Sequence, residues 1–461
     1  MSHPAFSTRK TNSIPVHLVD SRDFKSGKAS LPGFAIDWAK RTGFSGKKGT
    51  LCLVPDGSAG GNGIACALFG LGDDPRALDA GRLPRLLPEG NWHFADASPH
   101  AALSSLGWLL GAYRYDRYRK DAPWKARLVP GADIDTAAIS GIADSVFLAR
   151  DLINTPTNDL GPAELEAAIR KLAGEFKAKV GSIVGDKLLE KNFPMVHAVG
   201  RASASAPRIV EFKWGKASDP KVTLVGKGVC FDSGGLNIKP GDSMALMKKD
   251  MGGAANILAL ARMIMAARLP VRLRVIIAAV ENSISANAFR PGDILNSRKG
   301  TTVEIGNTDA EGRLILGDAL AWGDEEAPQI MIDMATLTGA ARIALGPDLP
   351  AMFSDDDGFC ADMMASGASV EDPVWRLPLW KGYRAGLSSN IANISHIGKG
   401  PQGGSITAAL FLQHFVEKAK TWAHFDIFAW AAAEKPSCPI GGEAQAIRAI
   451  FEVMKSRFPV A

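Results

Sequence analysis

Apolar runs and polar turns alternate along this chain, and their periods predict its elements. Leu51 to Pro55 and Gly63 to Leu71 read as short strands, separated by the glycine-rich loop Gly57-Ser58-Ala59-Gly60-Gly61-Asn62-Gly63. That loop lacks the lysine and hydroxyl residue of a phosphate-binding loop, and no clear helix follows it, so it reads as a plain turn. A helical stretch, Leu103 to Arg119, runs into the proline- and charge-rich segment Lys120 to Pro130, the best candidate linker between residues 1–130 and 131–461. The helix-like run Ala137 to Ile153 is stopped by the turn residues Asn154-Thr155-Pro156-Thr157-Asn158. Beyond it strands and helices take turns. Val222 to Val229 is strand-like, and Ala254 to Arg268 is helical with Ile257, Leu260, Ala261 and Ile264 on one face. Arg272 to Val280 and Gln329 to Ala335 are continuous apolar runs of buried-strand character, and Leu314 to Gly323 is helix-like. This order predicts an α/β fold: parallel strands covered by helices, with ligands at the strands' carboxyl ends.

Composition narrows the class. At 461 residues and 46% hydrophobic, the chain can build two domains with substantial cores. The net charge is +5, but the basic residues are dispersed, with clusters no longer than pairs such as Lys47-Lys48 and Lys248-Lys249. A nucleic-acid partner would call for a basic stripe. The five cysteines (Cys52, Cys66, Cys230, Cys360, Cys438) have no C-x-x-C spacing and read as reduced thiols. Met1 to His17 lacks the apolar core of a secretory signal, and no apolar run reaches the length of a membrane span, so a cytoplasmic location with no membrane partner is expected. There is no internal repeat or low-complexity segment.

The chemistry concentrates in two stretches. Asn307-Thr308-Asp309-Ala310-Glu311-Gly312-Arg313-Leu314 puts two carboxylates and an arginine between a strand-like and a helix-like run. Acids in a polar loop are most often merely solvated; a second cluster upstream changes that reading. There Gly226-Lys227-Gly228, Phe231-Asp232-Ser233-Gly234-Gly235, Lys239 and Lys248-Lys249-Asp250-Met251-Gly252-Gly253 set polar residues between glycines, which let backbone approach an ion and adopt positive φ. Lys227, Asp232 and Asp309 all lie just past strand-like runs. Asp232, Asp250, Asp309 and Glu311 carry about −4, so two divalent cations would bring a buried site close to neutrality where one would not. Lys227 fits only as a deprotonated amine ligand, leaving Lys239 and Arg313 as cations. No H-E-x-x-H pattern is present, and His197, His396, His414 and His424 read as structural.

The strings Val225-Gly226-Lys227-Gly228, Phe231-Asp232-Ser233-Gly234-Gly235, Asp250-Met251-Gly252-Gly253-Ala254-Ala255, Asn307 to Leu314, and Gly404-Ser405-Ile406-Thr407-Ala408-Ala409 closely resemble the leucyl aminopeptidase family of cytosolic two-metal exopeptidases, in spacing as well as content. The resemblance runs from about Asp151 to the C-terminus. It implies that Asp232 and Glu311 bridge two divalent metals (Mn or Zn, with Mg an alternative), that Asp309 completes one site, and that Lys227 and Asp250 complete the other. It further implies that Lys239 contacts the substrate carbonyl and the bridging water, and that Arg313 holds a bicarbonate that shuttles protons. Residues 1–130 would form a smaller N-terminal α/β domain, residues 131–461 a catalytic domain with a helix-covered, mixed, largely parallel sheet. The whole would be a homohexamer with interior active sites, releasing leucine-like N-terminal residues from peptide substrates. Met1 to about Pro130 carries none of the family's motifs.

One departure stands out. After Trp422-Ala423-His424-Phe425-Asp426-Ile427 the family continues with a small residue and glycine, whereas this chain has Phe428-Ala429-Trp430. By the resemblance this region lines the pocket for the substrate's first side chain with Met247, Thr336 and Gly339. Phe428 either makes that pocket shallower or fills core behind it. Two other classes of function stay open at this point: a DNA-binding regulator with secondary peptidase activity, disfavoured by the dispersed charge, and a catalytically silent scaffold, disfavoured by the complete ligand set.

Overall fold

A computed structural model describes residues 3–7, 12–57, 63–95, 100–120 and 122–460; most of the glycine-rich loop, residues 58–62, lies outside them. The chain forms two compact units, Met1–Phe147 with Ala432–Ile440, and Leu148–Ala431 with Gly441–Ala461. The first holds a five-stranded sheet in the spatial order Leu51–Pro55, Ile64–Gly72, Ile14–Asp20, Gly90–Phe94, Ala126–Leu128, parallel except for its first pair. Ala35 and Ala39, on one face of the helix Gly33–Arg41, pack with Val19, Val54, Cys66 and Leu68 into its core. Two expectations need correcting. Within 120–130, Ala126–Leu128 pairs as an edge strand. The helix starting at Ala101 stops at Gly111, because the Tyr- and Arg-rich residues 113–119 offer no apolar stripe to bury.

The second unit is built on an eight-stranded mixed sheet. Its four central strands, Thr421–Asp426, Ile330–Ala335, Lys221–Asp232 and Arg272–Asn282, are mutually parallel, and antiparallel strands flank them. All six residues of Ile330–Ala335 are buried, as a strand covered on both faces requires. The covering helix Gly252–Ala266 is buried nearly all round, not on the single face that its periodicity suggested. Lys227 lies inside the long strand Lys221–Asp232 and not past its end.

The other covering helix, Gly312–Asp324, holds its surroundings through two buried carboxylates. Asp318 accepts from the backbone N–H groups of Met195 (2.8 Å), Val196 (3.2 Å) and Arg298 (2.8 Å), satisfying the first amides of the helix Pro194–Gly200. Asp324 does the same for Glu417, Lys418 and Ala419. Asp318→Ala should strand three buried donors and cost about 3 kcal/mol or more, whereas Asp318→Asn, which keeps an acceptor, should cost less. Urea unfolding of the two variants measures this; equal, small losses would mean that water takes over the carboxylate's role.

Candidate active site

The four central strands all end on one side of the sheet, and the candidate residues gather there. Asp232 ends its strand, Asn282 and Asp426 end theirs, and Thr336 follows Ala335. Side chains alternate along a strand, so Lys227 and Asp232, five positions apart, would face opposite ways. A bulge prevents this. The pairing with Arg272–Asn282 shifts by one residue between Val229 and Phe231, which returns both side chains to the same side.

Past the bulge, Gly234 and Gly235 take φ of 88° and 62°, a region a side chain would disfavour. Their turn is latched to the octapeptide: the Thr308 hydroxyl donates to the Gly234 carbonyl (2.6 Å) and accepts from Asn237 N–H (2.8 Å). Asp309 thereby stands over Asp232. Gly252 and Gly253 serve packing instead of ion approach. A Cβ on Gly252 would lie 2.4 Å from that of Ala429, and one on Gly253 2.1 Å from the Met334 carbonyl oxygen.

Oxygens of Asp232, Asp309 and Glu311 lie within 4.8 Å of one another. Lys227 Nζ pairs with Asp250 (2.8 Å) and Glu311 (3.0 Å) and donates to the Thr336 carbonyl (2.9 Å). Lys239 Nζ pairs with Asp232 (2.7 Å) and Asp309 (2.5 Å). Asn282 donates to Asp232 (2.8 Å), and the Thr336 hydroxyl to Asp250 (2.7 Å). Burial, then the Asp232 charge, pushes Glu311 up to about 8. Burial also raises Asp250 and Asp309. Burial opposes the charge on Lys227, but Asp250, Glu311 and Asp232 outweigh it and hold the ammonium above its ordinary value. Ionising all four acids would exceed the charge of the two lysines that pair with them, which divalent cations would balance, and carboxylate oxygens suit hard cations. A cation among the same carboxylates is what would free Lys227 to act as an amine.

Arg313 is placed apart from the cavity wall, at the start of its helix. Nη1 donates to the His396 carbonyl (2.7 Å), while Nε is buried with no acceptor among the described residues. Burial, then Arg313, lowers His396 to about 4, so its ring is neutral: Nε2–H donates to the Asn307 carbonyl (2.8 Å) and Nδ1 accepts from Gly306 N–H (3.2 Å). His197, His414 and His424 bond Asp186, Thr301 and Asp333, in keeping with structural roles. Beside the carboxylates opens a cavity of about 300 Å³ whose walls include Met247, Thr336, Gly339 and Phe428. The roles of Asn282, Thr308 and Asp426 are not marked in the sequence, whereas His396 bonds backbone in keeping with its structural reading. Asn282 and Asp426 stand out only as polar residues ending buried strands, and Thr308 acts through contacts that no spacing reveals.

The fold and this site define a metal-dependent hydrolase. The cytosol aminopeptidase family's catalytic-domain model matches residues 147–451 and the M17 aminopeptidase N-terminal domain matches residues 14–130, so the chain belongs to the cytosol aminopeptidase family. A probable cytosol aminopeptidase of Syntrophotalea carbinolica is 40% identical over 367 residues, covering 76% of this chain and 73% of that one. One of Roseiflexus castenholzii is 36% identical, covering 92% and 94%. The crystal structure of a cytosol aminopeptidase from Coxiella burnetii has a TM-score of 0.92 at 44% identity, covering 98% of each chain. A solved structure of the bottromycin maturation enzyme BotP in complex with Mn has a TM-score of 0.87 at 33% identity, covering 96% of this chain and 99% of its own. The N-terminal unit, silent in its motifs, is thus a family domain, and the protein is an aminopeptidase. Nothing in the fold or these relatives favours the DNA-binding alternative.

Proposed function

We propose that this enzyme releases unblocked N-terminal residues, leucine-like ones included, from peptides, using two divalent cations (Mn or Zn, with Mg an alternative) held by Lys227, Asp232, Asp250, Asp309 and Glu311. The convergence of these four carboxylates with two lysines at the ends of parallel strands carries the reading. Cations there would supply a water of lowered pKa and polarise the scissile carbonyl. Asp232, Asp309 and Glu311 would hold the cations through their convergent oxygens, joined by Asp250 and by Lys227 as a neutral amine. Lys239 donates to the carbonyl oxygen as negative charge develops on it. The free Nε–H of Arg313 supports a bicarbonate partner that carries protons. Met247, Thr336, Gly339 and Phe428 enclose the first side chain, and their place in one cavity wall supports this.

An assembly into a homohexamer fits the exposed apolar side chains of Trp375, Trp380, Tyr383 and Ile391. A cytoplasmic location fits Cys52, Cys66, Cys230 and Cys360, which form no disulfide, and no helix among the described residues is long and apolar enough to cross a membrane. The discriminating experiment compares leucine amide with N-acetyl-leucine amide. A free α-amino group can engage the metal and acid cluster and an acetylated one cannot, so only the first should be hydrolysed. Equal rates would rule out an exopeptidase.

A further inference from the structure

The cavity beside the carboxylate cluster carries positive charge that the reaction described above does not use. Lys249, on the short turn Met247–Met251, is only 3% exposed, yet it lines the cavity. Among the described residues its ammonium has no acceptor within hydrogen-bonding distance. The nearby carboxylates are engaged elsewhere. Asp250 holds Lys227 (2.8 Å) and the Thr336 hydroxyl (2.7 Å). Asp426 accepts from the amides of Leu337 (3.0 Å) and Thr338 (3.1 Å) and from the Thr338 hydroxyl (2.6 Å). What Lys249 does touch is the ring of Phe428, its Nζ 4.7 Å from the centroid. The guanidinium of Arg342, an exposed residue on the same cavity wall, lies 4.7 Å from that ring too.

A buried ammonium is costly unless an anion pairs with it, and an aromatic face offsets only part of the cost. Among the described residues no carboxylate forms an ion pair with Lys249, while the opening of the cavity offers a place for one from outside. The Phe428 ring holds the two cations against the wall that also carries Met247, Thr336 and Gly339. We propose that the first-side-chain pocket takes acidic residues, so that the enzyme releases N-terminal glutamate and aspartate as well as leucine-like residues, with Lys249 the specificity-determining residue and Arg342 supporting it at the rim. This rests on the assignment of the cavity made under the proposed function. The substrate carboxylate would complete an ion pair in a largely desolvated site, where a charge-assisted bond discriminates strongly against the neutral isostere.

Steady-state kinetics of the metal-loaded full chain on glutamyl, glutaminyl and leucyl amides tests it. Glutamyl amide should exceed glutaminyl amide in kcat/KM by about 10-fold or more. Lys249→Met should abolish that preference, Lys249→Arg should retain it, and Arg342→Gln should reduce it. Should Lys249→Met fail to fold, inhibition of the wild-type enzyme by free glutamate and free glutamine decides: a Ki about 10-fold lower for glutamate supports the pocket, and equal values overturn it. Hydrolysis of leucyl amide with glutamine preferred over glutamate, or a Lys249→Met variant that lowers both substrates in proportion, also overturns it. Failure to hydrolyse any of the three amides would bring down the aminopeptidase site assignment and this inference together, which distinguishes the two failures.

Discussion

Stripped of divalent cations, the protein is expected to lose hydrolysis of leucine amide entirely, and Mn or Zn should restore it. The reason is that, among the described residues, the carboxylates at this place are paired with Lys227 and Lys239, and bound cations are the proposed source of an acidified water. The four histidines singled out in the sequence are held in structural contacts, and the groups gathered at the strand ends are carboxylates and lysines already paired with one another. Without a cation to acidify it, a water in this site faces a negatively charged surface. Glu311→Ala should mimic metal removal, because Glu311 is 1% exposed and its oxygen is part of the convergent set. Metal analysis beside the activity assay makes the comparison. Full turnover in a verified metal-free sample would end the two-metal reading.

Lys239→Ala is expected to behave in the opposite way toward the metal while losing nearly as much activity. Lys239 contributes charge to the reacting carbonyl, so its loss should lower kcat by about 10²–10³. Yet its ammonium now pairs with Asp232 and Asp309, both proposed ligands. Removing a cation that competes for those oxygens should leave metal affinity equal or higher. Arg313→Ala should likewise retain both metals while losing turnover. A Lys239→Ala enzyme with ordinary kcat would show that the lysine only balances charge, and one that lost its metal would show that it organises the ligands.

The apolar periodicities of the second unit were read well because its strands are buried on both faces, and continuous apolar runs such as Ile330–Ala335 have few other uses. Five metal-ligand candidates and Lys239 are legible in the chain because charged residues set among glycines are costly to bury without a purpose, although only Asp232 ends a strand. Where periodicity and structure differ, the cause is tertiary. The helix Gly252–Ala266 shows a face in sequence but is enclosed all round, and its opening glycines answer to the close approach of Ala429 and Met334. Ala432–Ile440 returns to the N-terminal unit with no local sign that it will.

By itself, then, the sequence determined the alternation of elements, the identity of the acidic and basic groups, and the family they belong to, since these depend on residue type and spacing. Only the tertiary structure decided which way those groups point. The bulge between Val229 and Phe231 turns Asp232 to the side of Lys227, a one-residue slip in pairing that no propensity signals. The isolation of Lys249 is likewise a tertiary fact, for a lysine beside an aspartate in sequence looks paired until the fold gives that aspartate to Lys227 and leaves the second ammonium facing Phe428.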